Sequence, residues 1–579
     1  MIFETINWLD STKELVSLTL PNVTAGAMDG PKGTALDTRL HLFSLSLLPA
    51  VGSAMKLDIQ YVRSTQLWMP GTNKTQIVEV VVNNVGSEWV LANNSVKITV
   101  STSGCDTVVL GVINMLAPGN QAKAQVGVEN KGATTTGTTG NATVSISGIG
   151  VSASYAFNAT FGVVPYEATY DSVYAHESPS WYNDLKYGIF IHWGVYSVPA
   201  WCNVGKKEFY AEWLNQGPNQ TTETYQYDLA TYGPDHVYDD FVQNFTADAF
   251  DPKAWVSKHH DGYAIFDLPA NVSLRTSVAQ FPHRNLLKEL FDAAAQYQPH
   301  LHRGTYFSLP EWFNPAYAPY GFAQWPGGNA TNPYTNATLP YTGFVPVNDY
   351  VQDVILPEMN TLAEMGTEIM WCDIGGPNLT AEFASAWFNT AADRNCQVVM
   401  DNRCGLPEDF DTPEYARYDA VQVRKWESNL GMDPFSYGYN RATPGSAYLE
   451  AVDMVNSLID IVSEDGILLD VGPQANGTII AIEQQNLRQA GVWIRSHGEA
   501  IFNTTYWFPN VTIVLESPVP WVQGDQVTVV GGNASGTVVP SQLTATGSLQ
   551  LTIPEVVQHA DQYAWVFKIS MGPRYIVRW

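Results

Sequence analysis

The chain has 579 residues, and its 56 acidic and 29 basic residues give a net charge of −27. This charge repels polyanions and so argues against nucleic acids and anionic membranes as partners. Aromatic residues make up 12% of the chain and charged residues only 15%, a balance that favours neutral polar ligands such as carbohydrates. The length predicts two to four domains, and no apolar stretch is long enough to cross a bilayer.

Glycosylation sequons of the N-x-S/T type are frequent, which favours a secreted protein or one of a lysosome-like or vacuole-like compartment. They begin at Asn22, Asn73, Asn93, Asn141, Asn158, Asn219, Asn244, Asn271, Asn329, Asn336, Asn378, Asn476, Asn503, Asn510 and Asn533. The start of the chain is acidic where an export signal needs basic and then apolar residues, so we expect a truncated N-terminus. The cysteines match neither a disulfide-dense scaffold nor a paired zinc motif; they are Cys105, Cys202, Cys372, Cys396 and Cys404.

Residues 56–165 are predicted to form a β-sandwich of the immunoglobulin-like type. Apolar and polar residues alternate here in short runs such as TQIVEVVVNN and NSVKITVSTS, with Gly, Asn and Pro between the runs. Residues 1–55 lack this pattern and are predicted to be irregular.

Residues 166–507 are predicted to form a (β/α) barrel, because short apolar strands alternate with helix-like segments. The strands include YGIFIHWG, HRGTYFSL, TEIMWCDIGG, QVVMDNR, AVQVRKWES and GILLDVGP. The clearest helix is YLEAVDMVNSLIDIVSEDG, whose apolar residues recur at helical spacing and which Gly466 is placed to end. Alternating strands resume later, so residues 508–579 are predicted to form an incomplete second β-sandwich.

Polar and aromatic side chains stand at the predicted carboxyl ends of the barrel strands, the edge at which such barrels carry their active sites. They are His192 and Trp193, His259 and His260, Trp371 and Asp373, Arg403, and Trp426 and Glu427. This placement at one edge is difficult to explain by packing alone. Arg403 itself is either a loop cation or a fork that faces a ligand.

Asp373 follows the predicted strand EIMW, two residues after Trp371, so both side chains should point to the same face. Its carboxylate would be placed to attack an anomeric carbon, although a helix N-cap or a loop aspartate fits the pattern equally well. Glycoside hydrolysis also needs a second carboxyl of different protonation, for which the candidates are Glu311, Glu414 and Glu427. The spacing of the residues does not choose among them.

The stretch SKHHDG places His259 and His260 at a predicted strand end. Imidazole binds metal ions, but no HExxH motif or cysteine cluster accompanies the pair, and a sugar hydroxyl suits neutral imidazole at least as well. We therefore expect hydroxyl binding rather than a metal site, with a structural role as the remaining alternative. Tyr210, Glu212 and Trp213 in EFYAEWL form an aromatic and acidic cluster, or else the start of an amphipathic helix.

Taken together, the motifs from about Trp181 to Trp507 resemble the α-L-fucosidases of glycoside hydrolase family 29. In the family's order they are WYNDLKYGIFIHWGVYSVPAW, EFYAEWL, SKHHDGYAIF, RGTYFSLPEW, MWCDIGG, DNRCG, TPEY, KWES, YGY and GILLDVGPQANGTI. Each motif alone is weakly specific, whereas the ordered set is strongly specific. The resemblance implies that the barrel is a catalytic domain and that the chain is a retaining exo-glycosidase. Such an enzyme releases terminal α-L-fucose from oligosaccharides or glycoproteins and needs neither a metal nor another cofactor.

The resemblance also implies the roles of the site residues. Asp373 occupies the position of the family's W-x-D aspartate and would be the nucleophile, while Glu414 in TPEY would be the acid/base, with Glu427 in reserve. The positions that match the family's sugar-binding residues are His192, Tyr210, Glu212, Trp213, His259, His260, Trp371 and Arg403.

Two segments depart from the family's pattern. FDPKAWVSKHHDG joins two motifs that the family separates by a helix end and a barrel strand, so we expect the second barrel strand to be truncated or absent. The chain also skips the first strands of the family's C-terminal sandwich after Trp507. Two other functions stay open: a fucose-binding protein without turnover, and a glycosidase for another neutral sugar.

Overall fold

The computed structural model describes residues 55–203, 222–252, 262–311, 313–321, 327–406, 409–418, 424–463, 466–502, 514–515, 521, 525–543, 549–558 and 564–570. These residues fall into two compact units. The first comprises residues 55–64 and 78–161, and the second comprises residues 65–77 and 162–570. The segment in which the second barrel strand is predicted to be truncated, 253–261, lies outside the described residues.

The first unit is built on eight described strands. They are β1 Leu57–Trp68, β2 Gln76–Asn84, β3 Val90–Ser101, β4 Cys105–Val109, β5 Gly111–Leu116, β6 Gln121–Asn130, β7 Thr139–Gly148 and β8 Val151–Thr160. They form two four-stranded sheets, in the orders β1-β2-β6-β4 and β5-β3-β7-β8. The alternation in the sequence supplies the core, since Val80 and Val126 of one sheet pack with Ile98 and Val144 of the other.

The second unit begins with alternating helices and strands. The strands are β9 Tyr187–Ile191, β10 Gly304–Ser308, β11 Ile369–Asp373, β12 Val399–Met400, β13 Trp426–Gly431 and β14 Gly466–Val471. The helices are α1 Tyr170–Val173, α2 Ser180–Asp184, α3 Thr222–Tyr232, α4 Leu286–Tyr297, α5 Leu356–Glu364, α6 Thr380–Asp393, α7 Ala451–Ser463, α8 Ala481–Ser496 and α9 Gly498–Ile501. No described helix is both long enough and apolar enough to cross a membrane.

Six strands of this unit form two parallel three-stranded sheets, β10-β11-β12 and β13-β14-β9. The two sheets share an inner apolar cluster to which β9 contributes Phe190, β10 contributes Tyr306 and β11 contributes Trp371. The Phe190 ring lies 5.2 Å from that of Trp371, which brings β9 of one sheet against β11 of the other. A second, larger cluster lies between the strands and the helices. The fold is therefore a parallel α/β arrangement with apolar side chains on both faces of its sheets.

Two details differ from the sequence prediction. Gly466 was expected to end the helix, but α7 ends at Ser463 and Gly466 is the first residue of β14. A Cβ atom at Gly466 would lie 2.4 Å from Ile461 and 2.8 Å from Trp426, so only glycine allows this close approach. Glu427 was expected at a strand end, but it is the second residue of β13 because that strand begins at Trp426.

The C-terminal part of the second unit consists of short strands. They are β15 Val514–Leu515, β16 Gln526–Val529, β17 Val538–Val539, β18 Ser541–Leu543, β19 Leu549–Leu551 and β20 Phe567–Ser570, with helix α10 Glu555–Gln558. These strands form two antiparallel sheets, β15-β19-β18 and β17-β16-β20. Val527, Leu549 and Val557 are fully buried in a small apolar core of their own.

Candidate active site

Asp373 is the last residue of β11, and its carboxylate receives three hydrogen bonds. The Tyr306 hydroxyl donates to Oδ2 at 2.7 Å, while Nη1 of Arg403 and the amide of Ile374 each donate to Oδ1 at 2.8 Å. Parallel pairing of β10 with β11 sets Tyr306 beside Trp371 and Ser308 beside Asp373, so these side chains share one face. The carboxylate is thus fixed in orientation at the carboxyl end of the sheet, with a side chain that is 16% exposed.

Arg403 connects the residues of the site through its hydrogen bonds. It lies in the short turn Asn402–Cys404, where Nε donates to Oγ1 of Thr412 at 2.9 Å and Nη2 donates to the Thr412 carbonyl at 2.7 Å. Nη1 bonds both Asp373 and Glu414 at 2.8 Å. Burial opposes the charge of the guanidinium, but the two carboxylates outweigh it and raise the Arg403 pKa. The cation also lies over the Trp371 ring, 4.8 Å from its centroid.

The shared nitrogen brings Asp373 and Glu414 close together. Oδ1 of Asp373 and Oε1 of Glu414 can lie no farther apart than twice 2.8 Å, about 5.6 Å. The separation of about 5–5.5 Å between the two carboxyls of retaining glycosidases falls within this limit. The Glu414 side chain is 40% exposed, so it is open to solvent on one side of the site.

The two other glutamates considered from the sequence have different surroundings. Burial raises the pKa of Glu427 to about 7, although the nearby Arg403 guanidinium and Trp371 indole both lower it. Glu427 is therefore close to Arg403 and Trp371 and is half-buried. Glu311 accepts hydrogen bonds at 2.8 Å from Asn314 and Tyr341, and no described contact links it to Asp373.

His192 and Trp371 are both at this site, and both are buried. The His192 ring stacks on Tyr437 with 5.1 Å between ring centroids and meets Tyr306 edge-on at 5.8 Å. Trp371 stacks on the Tyr306 ring at 5.3 Å. Trp371, Tyr306 and His192 thus form an aromatic wall beside Asp373.

Two aromatic residues that were expected at the site belong to the core. Trp193 is 0% exposed, and its indole donates to the Gln474 carbonyl, because successive residues after β9 point to opposite sides. Trp426 is 1% exposed and lies against Tyr418. The remaining predicted binding residues, Tyr210, Glu212, Trp213, His259 and His260, lie outside the described part of the chain.

Tyr306 is a site residue that the sequence analysis did not single out. It lies in the quoted motif RGTYFSL, and its alternation with Ser308 places it on the face of β10 that adjoins Trp371 and Asp373. The alternation of Tyr306 and Ser308 can be read from the sequence, but it predicts contact with Asp373 only once the register between β10 and β11 is known. That register follows from the fold rather than from either strand alone.

Cys372, Asp401 and Cys404 form the one described group whose atoms are close enough to suggest a metal site. The two cysteines, however, are joined as a disulfide, so neither sulfur is a thiolate ligand. Asp401 alone offers one carboxylate, which accepts the Cys372 amide at 2.9 Å. We therefore interpret these three residues as a disulfide with a neighbouring carboxyl and not as a metal centre.

Comparison with known proteins gives consistent results. A family model described as "Alpha-L-fucosidase" matches residues 156–499. An α-L-fucosidase of Branchiostoma floridae is 30% identical over 369 residues, which cover 59% of this chain and 76% of that protein. An α-L-fucosidase of Dictyostelium discoideum is 29% identical over 369 residues, covering 59% and 75% respectively.

A solved structure shows the same fold. The crystal structure of a Thermotoga maritima α-fucosidase with a mechanism-based inhibitor aligns with a TM-score of 0.55 at 24% identity. The alignment covers 70% of this chain and all of that one.

Proposed function

Because the chain belongs to the α-L-fucosidase family, we propose that it hydrolyses terminal α-L-fucosyl linkages of oligosaccharides or glycoproteins with retention of configuration. The observation that carries this proposal is the pair of carboxylates, Asp373 and Glu414, on one guanidinium nitrogen. A separation of at most about 5.6 Å allows a double displacement, in which one carboxyl attacks carbon and the other moves a proton. Fucosylated glycans are the partners that this activity implies.

In the proposed first step, Asp373 attacks the anomeric carbon and forms a covalent fucosyl-enzyme while the bond to the leaving oxygen breaks. The hydrogen bonds from Tyr306, Arg403 and Ile374 hold the attacking carboxylate in place. Preorganised donors of this kind cost no reorganisation when charge shifts in the transition state. A second displacement by water then releases α-L-fucose and restores the Asp373 carboxylate.

We assign the acid/base role to Glu414 and keep Glu427 as the alternative. The leaving group departs toward solvent, and Glu414 is the more exposed of the two. Glu414 would protonate the leaving oxygen and then remove a proton from the attacking water. Glu427 has a pKa near 7 that suits an acid, and it is half-buried where Glu414 is exposed.

The aromatic wall supplies an apolar surface for the methyl group of fucose, formed in part by Trp371. We propose that His192 and Arg403 bind hydroxyl groups of the sugar beside Asp373. Tyr210, Glu212, Trp213, His259 and His260 are proposed to complete the sugar pocket. The proposed steps draw on two carboxyls only, and neither a metal nor a cofactor takes part in them.

The same proposal extends to architecture and compartment. The inner cluster shared by β9, β10 and β11 supports closure of the parallel strands into a (β/α) barrel over residues 166–507. We propose flanking β-sandwich domains at 56–165 and 508–579. The sequons and the disulfide support a secreted or lysosome-like location, as do the names of two further relatives, a plasma α-L-fucosidase of Rattus norvegicus and a tissue α-L-fucosidase of Homo sapiens.

The test is to follow hydrolysis of an aryl α-L-fucoside by NMR and to record which anomer of fucose appears first. A retaining enzyme releases the α anomer first, and release of the β anomer would contradict retention. Fucose binding without hydrolysis would instead indicate a binding protein. Turnover of an aryl galactoside but not of the fucoside would indicate a glycosidase for another sugar.

A further inference from the structure

A disulfide lies directly behind the candidate active site. It joins Cys372, the residue before Asp373, to Cys404, the residue after Arg403, across 32 positions of sequence. Both cysteines are 0% exposed. The two segments that carry the nucleophile candidate and its guanidinium are therefore joined twice, covalently on the buried side and by the Asp373–Arg403 ion pair on the open side.

The disulfide connects β11 to the turn after β12, beyond the last residues of these two strands that pair through their backbones. Strands β11 and β12 are paired only from Ile369 with Val399 to Met370 with Met400. On the opposite side, β10 stays paired with β11 as far as Asp373. The end of β11 is thus held by a backbone ladder on one side only.

Asp401 completes the connection on the side of β12. Its amide donates to the Met370 carbonyl at 3.1 Å, and its Oδ1 accepts the Cys372 amide at 2.9 Å. The same Oδ1 lies 3.1 Å from Sγ of Cys404. The carboxyl is 0% exposed, so it bridges the two segments without contact with solvent.

We propose that the Cys372–Cys404 disulfide is a positioning element that sets the Asp373 carboxylate against the Arg403 guanidinium, and thereby sets the spacing between Asp373 and Glu414. The inference rests on the proposed function, since the spacing matters only if these carboxyls catalyse a reaction. Arg403 reaches the site from a short turn, and the disulfide anchors the last residue of that turn. Without it, the turn keeps its side-chain bonds to Thr412 but loses its covalent link to β11.

This arrangement couples full activity to an oxidising environment. A dithiol reductant would convert the disulfide to two thiols and would itself become oxidised to a disulfide. Since both sulfurs are buried, the reductant gains access only when the segment opens. We therefore expect slow loss of activity under reduction rather than an immediate response.

The test combines Cys372→Ala with Cys404→Ala and compares this variant with Cys396→Ser, which removes an exposed free thiol. We expect the alanine pair to lower kcat/KM for an aryl fucoside by about 10- to 100-fold, mostly through kcat, because a shift of about 1 Å in a catalytic group can cost about 10²-fold. Cys396→Ser should retain the original kcat/KM. Peptide mapping of the active enzyme that finds free thiols at Cys372 and Cys404 would overturn the proposal.

A double-mutant cycle separates positioning from general stability. If the disulfide acts through Arg403, its removal in an Arg403→Lys background should change kcat/KM by less than about threefold, because coupled residues are not additive. An equal loss in both backgrounds would show that the disulfide acts independently of Arg403, and the proposal would be wrong. Absence of turnover in the unaltered chain would contradict the proposed function itself, so the two failures are distinguishable.

A second measurement covers the case in which the alanine pair does not fold. The unaltered enzyme is incubated with dithiothreitol, and its activity and the labelling of Cys372 and Cys404 are followed in the same sample. Activity should fall in step with labelling and recover on reoxidation, while circular dichroism stays constant. Full activity in folded protein that is completely reduced at this pair would overturn the proposal.

Discussion

The second unit holds acidic side chains in two contrasting ways. At the candidate active site, Asp373 and Glu414 both bond the Arg403 guanidinium. Asp433 and Glu483, in contrast, are 3% and 1% exposed, and burial raises their pKa values to about 6 and about 8. Among the described residues, no cation contributes to either of these two pKa values.

This difference in surroundings distinguishes carboxyls that can take part in catalysis from carboxyls that are part of the buried protein interior. Burial without a cation favours the neutral form of a carboxyl, which is a poor nucleophile, whereas Asp373 and Glu414 are both paired with a guanidinium. Glu427 lies between these cases, because burial raises its pKa to about 7 while Arg403 opposes the rise. The environment, rather than the residue type, therefore assigns the roles.

The largest expected effect comes from removing the proposed nucleophile. Asp373→Gly should lower hydrolysis of an aryl fucoside by at least about 10³-fold, since loss of a covalent catalyst removes the main reaction path. Added azide should restore turnover and give β-L-fucosyl azide, because attack then occurs once, with inversion. Asp433→Asn is the matched control, and it should retain most activity. If both variants lost activity to the same extent, the proposed difference between the carboxyls paired with Arg403 and the buried carboxyls would be wrong.

The next effect distinguishes Glu414 from Glu427. Glu414→Gln should slow hydrolysis of a fucoside with a poor leaving group by about 10²- to 10³-fold, which lies within the usual range for loss of an acid/base catalyst. A fucoside with a dinitrophenyl leaving group needs less protonation and should be affected far less. The same measurements on Glu427→Gln form the comparison, and a leaving-group dependence found only there would transfer the acid/base role to Glu427.

A smaller effect is expected from the hydroxyl that orients Asp373. Tyr306→Phe removes the 2.7 Å hydrogen bond to Oδ2, and a bond to a charged group contributes about 1.5–3 kcal/mol. We expect a fall in kcat of about 10- to 100-fold, and loss of the bond should also lower the melting temperature by a few degrees. Tyr317→Phe removes a buried hydroxyl for which no partner is found among the described residues, so it controls for the chemical change. A similar fall in both variants would argue against an orienting role for Tyr306.

Much of this arrangement could be predicted from local patterns in the sequence. The apolar runs before Trp371 and His192 predicted β11 and β9, and alternation placed Trp371 and Asp373 on one face, as observed. Tyr306 was missed because its proximity to Asp373 depends on the register between two strands. Glu427 was expected at the carboxyl end of a strand, whereas it is the second residue of β13, which begins at Trp426.

Other features depend on contacts that no local pattern encodes. Five cysteines allow many pairings, so the bond between Cys372 and Cys404 could not be selected by counting. Glu414 reaches Arg403 because residues 410–415 run along β13 through single bridges, Asp411 to Trp426 and Glu414 to Asn429. Such an irregular path has no periodicity from which it could be predicted.

The smallest expected effect concerns stability rather than activity. The folded-state pKa of Glu483, about 8, lies above the ordinary value of about 4.3 for an unfolded chain. Its contribution to stability is therefore fully present below about pH 4.3 and is lost as the pH rises through about 8. Glu483→Gln is neutral at every pH, so it should reduce the fall in melting temperature between pH 4.5 and 8.5. The pKa of Asp433 is also raised by burial, to about 6, so its contribution to stability is likewise lost as the pH rises, but over a lower pH range. If the melting temperature of Glu483→Gln fell with pH as much as that of the unaltered protein, burial of Glu483 would not be the cause of the fall.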